Sequence, residues 1–176
     1  MSIGYTLKNF RNNILVETGS QVGKSIAKAL SYGFKEIYSV EINPNFYNIC
    51  KTKFASNSNV HLYLGDSVDV LPVILDRISE KATFLLDAHL NSMKCEHKGR
   101  IICPIFQEID CIFEHNKKHN LRHDILIDDR KYFNGKIDYF ENIKESDLIN
   151  KIKQFDDKYN IRIIGKSSNG IAITTG

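Results

Sequence analysis

The sequence predicts a doubly wound α/β domain, a mostly parallel sheet closed at its carboxyl end by an antiparallel hairpin. Two observations predict it. Short β-branched runs alternate with longer segments of helical period, the pattern of successive strand–helix–strand units. Near the end, IRIIGKSSNGIAITT places two β-rich runs around Asn169-Gly170, a strong hairpin signal. Neither an internal repeat nor a linker-like stretch interrupts the alternation, so residues 1–176 are expected to form a single domain.

The elements follow in order. Asn13 to Glu17 (NILVE) reads as a buried strand. Lys24 to Tyr32 reads as a helix with Ile26, Ala27, Ala29 and Leu30 on its apolar face. Glu36 to Ile42 is the second strand. Asn43-Pro44 then supplies an N-cap and a first-turn proline, which starts a helix through Phe46, Ile49 and Cys50. Val60 to Leu64 is a third strand and Asp69 to Ile78 a helix, with Pro72 near its start. Ala82 to Asp87 is the fourth strand. A polar loop, Asn91 to Arg100, leads to a helix from Pro104 to about His115, and Asp124 to Asp128 is the fifth strand. Arg130 to Glu145 reads as a long loop, and Asp147 to Tyr159 as a charged amphipathic helix before the hairpin.

Composition narrows the function classes. The chain is 42% hydrophobic and 26% charged, ordinary globular values that exclude disorder and low complexity. Lys plus Arg number 24 against 21 Asp plus Glu, so the formal charge of +3 gives no electrostatic case for nucleic acid or an anionic membrane. No apolar run approaches the ~20 residues that span a bilayer, and Met1 to Phe10 carries no signal-peptide pattern. A soluble, cytoplasmic protein is expected. The four cysteines make no disulfide framework at this size. Cys95, His97, Cys103 and Cys111 lie near one another but lack the close pairing of zinc sites, so packed or exposed thiols are expected.

In open α/β sheets ligands bind beyond the carboxyl ends of the strands. That edge should carry Glu17 to Gly23, Glu41, Gly65-Asp66-Ser67, Asp87-Ala88-His89 and Asp128-Asp129. Nearly every strand delivers an acid to it. Three loop types compete for the first turn, Glu17-Thr18-Gly19-Ser20-Gln21-Val22-Gly23-Lys24-Ser25. A phosphate-binding P-loop needs a glycine where Thr18 stands, and from Gly19 the loop is one residue short. Asp128-Asp129 after an apolar run could still mimic a Walker-B strand, so a nucleotide-binding protein stays as an alternative. A dinucleotide fingerprint fails on its glycine spacing, and Glu17 would repel a pyrophosphate.

The third type, acid-x-Gly-x-x-x-Gly after the first strand with an acid closing the second, resembles the class I S-adenosylmethionine-dependent methyltransferases. The resemblance runs from about Asn13 to the final hairpin, and it implies a Rossmann-like sheet and S-adenosylmethionine as cofactor. Gly19 and Gly23, with Ser20 between them, would let backbone approach that ligand. Glu17 is placed to face the cationic amino end of the methionine moiety. Glu41, beside Ile42, follows Gly19 at about the 20-residue spacing at which an acid meets ribose hydroxyls. Asp66 and Ser67 fall where the family usually contacts adenine, and Asp87 completes the cofactor-binding set.

The Thr18-Gly19-Ser20-Gln21 variant of the loop is closest to the macrocin O-methyltransferase type. In that type an Asp after strand four and an Asp-Asp pair after strand five bind magnesium, which can hold and acidify the acceptor's hydroxyls. The matching residues are Asp87, Asp128 and Asp129, and carboxylates from adjacent strand ends suit Mg²⁺. The alternative is that Asp128 caps a strand and Asp129 is solvated. The Asn/Asp-Pro-Pro-Tyr/Phe motif of amino-methylating enzymes is absent after strand four, so a small-molecule hydroxyl acceptor, with a sugar as one candidate class, is expected and nucleic acid is not. Catalysis is assigned to Asp87, His89 and Asp128, with His89 a general base or simply a hydrogen-bonding loop residue. Tyr132, Phe133, Tyr139 and Phe140 either overhang the acceptor or pack on themselves. Only about a dozen residues precede the first strand, so the acceptor is expected to rest on the loops after strands four and five, or on a second copy of the chain. A catalytically idle binding module of the same fold is the remaining alternative.

Overall fold

The structure is a computed structural model and describes residues 3–89 and 96–175. Its strands are β1 (Ile14–Thr18), β2 (Glu36–Glu41), β3 (Val60–Leu64), β4 (Ala82–Leu86), β5 (Asp124–Ile127), β6 (Asn160–Ile164) and β7 (Gly170–Thr174). Its α-helices are α1 (Lys24–Tyr32), α2 (Pro44–Lys53), α3 (Ser67–Leu75), α4 (Ile105–His119) and α5 (Glu145–Phe155). The strands form one seven-stranded sheet in the order β3-β2-β1-β4-β5-β7-β6. β1 to β5 are parallel and β7 runs antiparallel to both β5 and β6. From β1 the chain winds outward to β3, then returns to lay β4 on the other side of β1. The reversal puts a crevice beyond the carboxyl ends of β1 and β4, where this architecture holds ligands.

The central strands are buried on both faces, which is why they read as unbroken apolar runs. Their alternation still sorts side chains between two cores. Phe84, Leu86, Ile125 and Ile127 pack with α3, α4 and α5, in a core that includes Leu71, Ile109 and Ile152. Leu15, Ile37, Leu85 and Leu126 face the opposite side and pack with Ile26 and Ala29 of α1. Ile3–Phe10, to which the sequence analysis assigns no element, is a 3-10 segment lying on α1, with Leu7 fully buried in that second core.

Several boundaries move for identifiable reasons. α3 starts at Ser67, earlier than the expected Asp69, because the Asp66 carboxylate caps it by accepting the Val68 N–H at 3.1 Å. α4 runs on to His119 and ends where Asn120 turns left-handed. α5 begins at Glu145 and stops at Phe155, short of the expected Tyr159. Tyr159 instead donates its hydroxyl to the His123 carbonyl at 3.1 Å. The hairpin forms, but its turn is Gly165–Asn169 with a 3-10 stretch at Lys166–Ser168, and Gly170 already belongs to β7. Asn169 has an ordinary negative φ, and its amide donates to the carboxylates described below.

The expected long loop from Arg130 to Glu145 holds two 3-10 turns, Arg130–Tyr132 and Asp138–Phe140, and a bridge between Asn134 and Lys144. Phe133 and Phe140 are buried within it, whereas Tyr132 is exposed. At the opposite end of the sheet, His123 accepts the Ala82 N–H at Nδ1 and meets His115 Nδ1 at 3.0 Å. Burial pushes the His123 imidazole down to about 3, so this pair is neutral and ties α4 to β4.

Residues 90–95 of the expected polar loop, Cys95 among them, lie outside the described residues, as do Met1, Ser2 and Gly176. Cys103 is buried, and burial pushes its thiol up to about 12. No helix among the described residues is long and apolar enough to cross a membrane.

Candidate active site

The β1–α1 loop is shaped by close approach to its own neighbours. Gly19 has φ +87°, and a Cβ there would lie 2.3 Å from the Asp87 carbonyl oxygen. Its N–H donates to the Val40 carbonyl at 2.9 Å, which fastens the loop across β2 as well. Gly23, left-handed at φ +69°, caps α1, and a Cβ there would meet the Phe54 ring at 2.5 Å. Only glycine fits at either position.

Glu17 lies behind this loop, 1% exposed, and lines neither of the cavities described next. Ser25 donates to its Oε1 and Ser39 to its Oε2 at 2.8 Å, while Ser20 and Ser39 share a 2.6 Å hydroxyl contact. Burial pushes the Glu17 carboxyl up to about 7, against the pull of those two serine hydrogen bonds. In this arrangement Glu17 and Ser20 are struts holding the loop to β2.

A cavity of about 260 Å³ opens between the loop and the ends of β2, β3 and β4. Glu41 closes one wall, accepting the Gln21 N–H at 2.7 Å and the Asn43 N–H at 2.9 Å. Ile42 and Phe46 supply apolar surface beside it, and Asp66, Ser67 and Asp87 border the rest. The far wall is a stretch that the sequence reads only as loop. The Arg100 N–H donates to Asp66 Oδ2 at 2.8 Å, and Gly99 sits so close that a Cβ would fall 2.7 Å from the same oxygen. A second cavity, of about 310 Å³, meets the first at Gly19, Gln21 and Asp87 and extends past Lys24 and Lys28 to Asp128 and Asp129. Both are near the lower end of the ~300–1,000 Å³ typical of small-molecule sites.

Where the cavities meet, three side chains converge. His89 Nε2 lies 3.1 Å from Asp129 Oδ2 and 3.4 Å from Asp87 Oδ1. The imidazole is 3% exposed and rests on Phe140 with ring centres 4.5 Å apart, with Phe133 edge-on behind it. Those two aromatics therefore support the histidine from below. Asp128 is also at this edge, but its Oδ1 accepts the Asp129 N–H at 2.7 Å, and Asn169 Nδ2 bridges to Asp128 and Asp129 at 3.3 and 2.9 Å. Among the described residues the cluster of possible metal donors is thus Asp87, His89 and Asp129, with His89 where the sequence suggested Asp128.

The two outer carboxyls are driven apart. Burial and then the Asp128 and Asp129 charges hold Asp87 well above the usual carboxylate range. Burial pushes Asp129 the same way, but hydrogen bonds from His89 and Asn169 outweigh it and leave Asp129 below its usual value. Environments that separate two neighbouring acids in this way are a mark of acid–base sites.

Two contributors escape the sequence. Glu108, in the first turn of α4, is 2% exposed, and burial pushes its carboxyl up to about 7 against hydrogen bonds from Ser67 and Thr18. An acid in a helix's first turn ordinarily reads as a surface residue answering the helix dipole, so no signal marked it. Asn169 was hidden by its hairpin motif.

No protein-family model matches the sequence, and no curated protein matches it. Solved structures do match in fold. A Podospora anserina methyltransferase bound to S-adenosylhomocysteine superposes with a TM-score of 0.66 at 14% identity, covering 98% of this chain and 76% of that one. A Bacillus cereus O-methyltransferase in complex with S-adenosylhomocysteine gives 0.59 at 17% identity, over 97% and 80% of the two chains. An rRNA methylase from Streptococcus thermophilus gives 0.54 at 11% identity, over 97% and 90%. The chain therefore has the Rossmann-like fold of S-adenosylmethionine-dependent methyltransferases. The P-loop alternative is not favoured: the Gln21 amide of its loop is spent on a carboxylate, Glu41, not turned toward a phosphate.

Proposed function

We propose that the protein transfers a methyl group from S-adenosylmethionine to a hydroxyl of a small molecule, a sugar being one acceptor class that suits a polar pocket. The observation that carries this reading is the meeting of two cavities at Gly19 and Asp87, with Glu41 and His89 lining one, Asp129 lining the other, and the Asp87–His89–Asp129 group at their junction.

The residues fit the cofactor. Glu41 offers carboxylate oxygens to a ribose diol, held in place by the two backbone N–H groups that already bind it. Ile42 and Phe46 offer apolar contact to a base, with Asp66 and Ser67 at its polar rim. Asp87 stands at the junction, where an ammonium group would find a carboxylate, a role the buried Glu17 is not placed to take. When bound, S-adenosylmethionine supplies a methyl carbon made electrophilic by its sulfonium.

The acceptor side belongs to the Asp87–His89–Asp129 group. Asp129, whose Oδ2 accepts the His89 Nε2–H, is placed to take a hydroxyl proton, with His89 holding that carboxylate in position. Phe140 and Phe133 fix the ring and keep water from its lower face. The three donor atoms lie within 4.8 Å of one another, close enough for one divalent cation to touch them all. An imidazole among the donors suits Mn²⁺, Fe²⁺ or Zn²⁺ better than Mg²⁺. Such a cation would lower the pKa of a coordinated hydroxyl.

Incubation with S-adenosylmethionine and a panel of sugars, hydroxy acids and phenols is expected to release S-adenosylhomocysteine with at least one hydroxyl acceptor. Release only with amines or oligoribonucleotides, or with no acceptor at all, would overturn the assignment.

A further inference from the structure

The second cavity has two walls of opposite charge. On one side Lys24 and Lys28, a helical turn apart, project from the start of α1. On the other stand Asp87, Asp128 and Asp129. Among the described residues neither lysine forms an ion pair with Asp87 or Asp129. Lys28 instead holds its ammonium 5.6 Å from the centre of the Tyr5 ring. The α1 N-terminus adds positive potential to the lysine wall, since Gly23 has no side chain to cap it.

We infer that this cavity takes a hydroxylated acceptor bearing a carboxylate or phosphate, its anion against Lys24 and Lys28 and its hydroxyl toward the Asp87–His89–Asp129 group. The inference rests on the methyl-transfer reading and narrows its acceptor. A neutral acceptor would offer the two ammonium groups no opposite charge and could enter in either direction. An anionic one has a single favourable orientation, because its charge is repelled by the acids at the far end. That polarity would present the hydroxyl, not the anion, to Asp87 and Asp129.

The test is calorimetric. Glucuronate, glucose 6-phosphate and glucose are titrated into the protein with and without saturating S-adenosylhomocysteine. The two charged probes are expected to bind at least about tenfold tighter than glucose, as charge-assisted contacts imply. Lys24→Ala/Lys28→Ala should erase that preference while leaving S-adenosylhomocysteine affinity within about twofold, and Lys24→Arg/Lys28→Arg should largely restore it. Equal binding of charged and neutral probes, or none by any of them, overturns the inference. A matching loss of S-adenosylhomocysteine affinity in the alanine variant also overturns it, since the lysines would then hold the cofactor's own carboxylate. Failure of the parent protein to bind S-adenosylhomocysteine is read separately and would sink the methyl-transfer reading instead.

Discussion

Gly19→Ala is expected to lower the melting temperature by about 4–20 °C and to remove most of the affinity for S-adenosylhomocysteine. The new methyl would fall 2.3 Å from the Asp87 oxygen, 2.9 Å from its carbon and 3.3 Å from the Ala88 Cα. All three are backbone atoms, so no side-chain rotation relieves the clash. Forcing extra volume into a packed site costs roughly 1–3 kcal/mol. Holding alanine at positive φ costs roughly 1–2 kcal/mol more. At about 2–4 °C per kcal/mol for a chain of this size, the sum gives the stated range. Affinity suffers because the loop relaxes by lifting off β4, which carries Gln21 away from Glu41 and widens the junction of the cavities. Gly33→Ala is the control. It shares the strained backbone, φ +82°, but its Cβ would meet only the Arg11 guanidinium at 3.5 Å. It should cost only the backbone strain and leave the ligand affinity intact. Thermal melts in which the two variants behave alike would refute the claim that contact with β4 dictates the glycine.

Asp129→Asn is expected to lower kcat/KM for the hydroxyl acceptor by about 10²–10⁴-fold, the usual worth of a positioned proton-transfer group. Affinity for S-adenosylhomocysteine should change little, because Asp129 borders the second cavity and not the one closed by Glu41. Asparagine keeps an oxygen for the His89 Nε2–H but cannot take the proton. The same variant should weaken Mn²⁺ binding in a calorimetric titration, since it removes the charge from one of three converging donors. Activity that survives the change would show that Asp129 is only a structural carboxylate, tied to His89 and Asn169.

The sequence made the sheet legible because both of its periods are strong. Strand β3 and helix α1 fall on the expected residues, and the other central strands shift by only a residue. The acids at the strand ends were legible for the same reason: once the strands are placed, Glu41, Asp66, Asp87 and Asp128 must share one edge. What the sequence could not show was where each carboxylate points. Glu17 belongs to that edge in register, yet two serines, Ser25 and Ser39, draw it behind the loop. Asp128 and Asp129 are adjacent in sequence, but the left-handed turn at Asp129, φ +55°, directs only the second toward His89. Asn169 reads as a turn residue because Asn-Gly usually is one. Its amide forms hydrogen bonds to two carboxylates that lie far away in the chain, a relation no local pattern encodes. The wall around Gly99 and Arg100 likewise depends on a backbone contact with Asp66.

The central claim is that the cavity closed by Glu41 holds an adenosyl ligand. Titration of S-adenosylhomocysteine into the parent protein and Glu41→Ala tests it most directly. The expected result is one site per chain in the parent, weakened at least about tenfold in the variant, as loss of charge-assisted hydrogen bonds to a ribose implies. No binding to the parent, or binding of equal strength to both proteins, would contradict it.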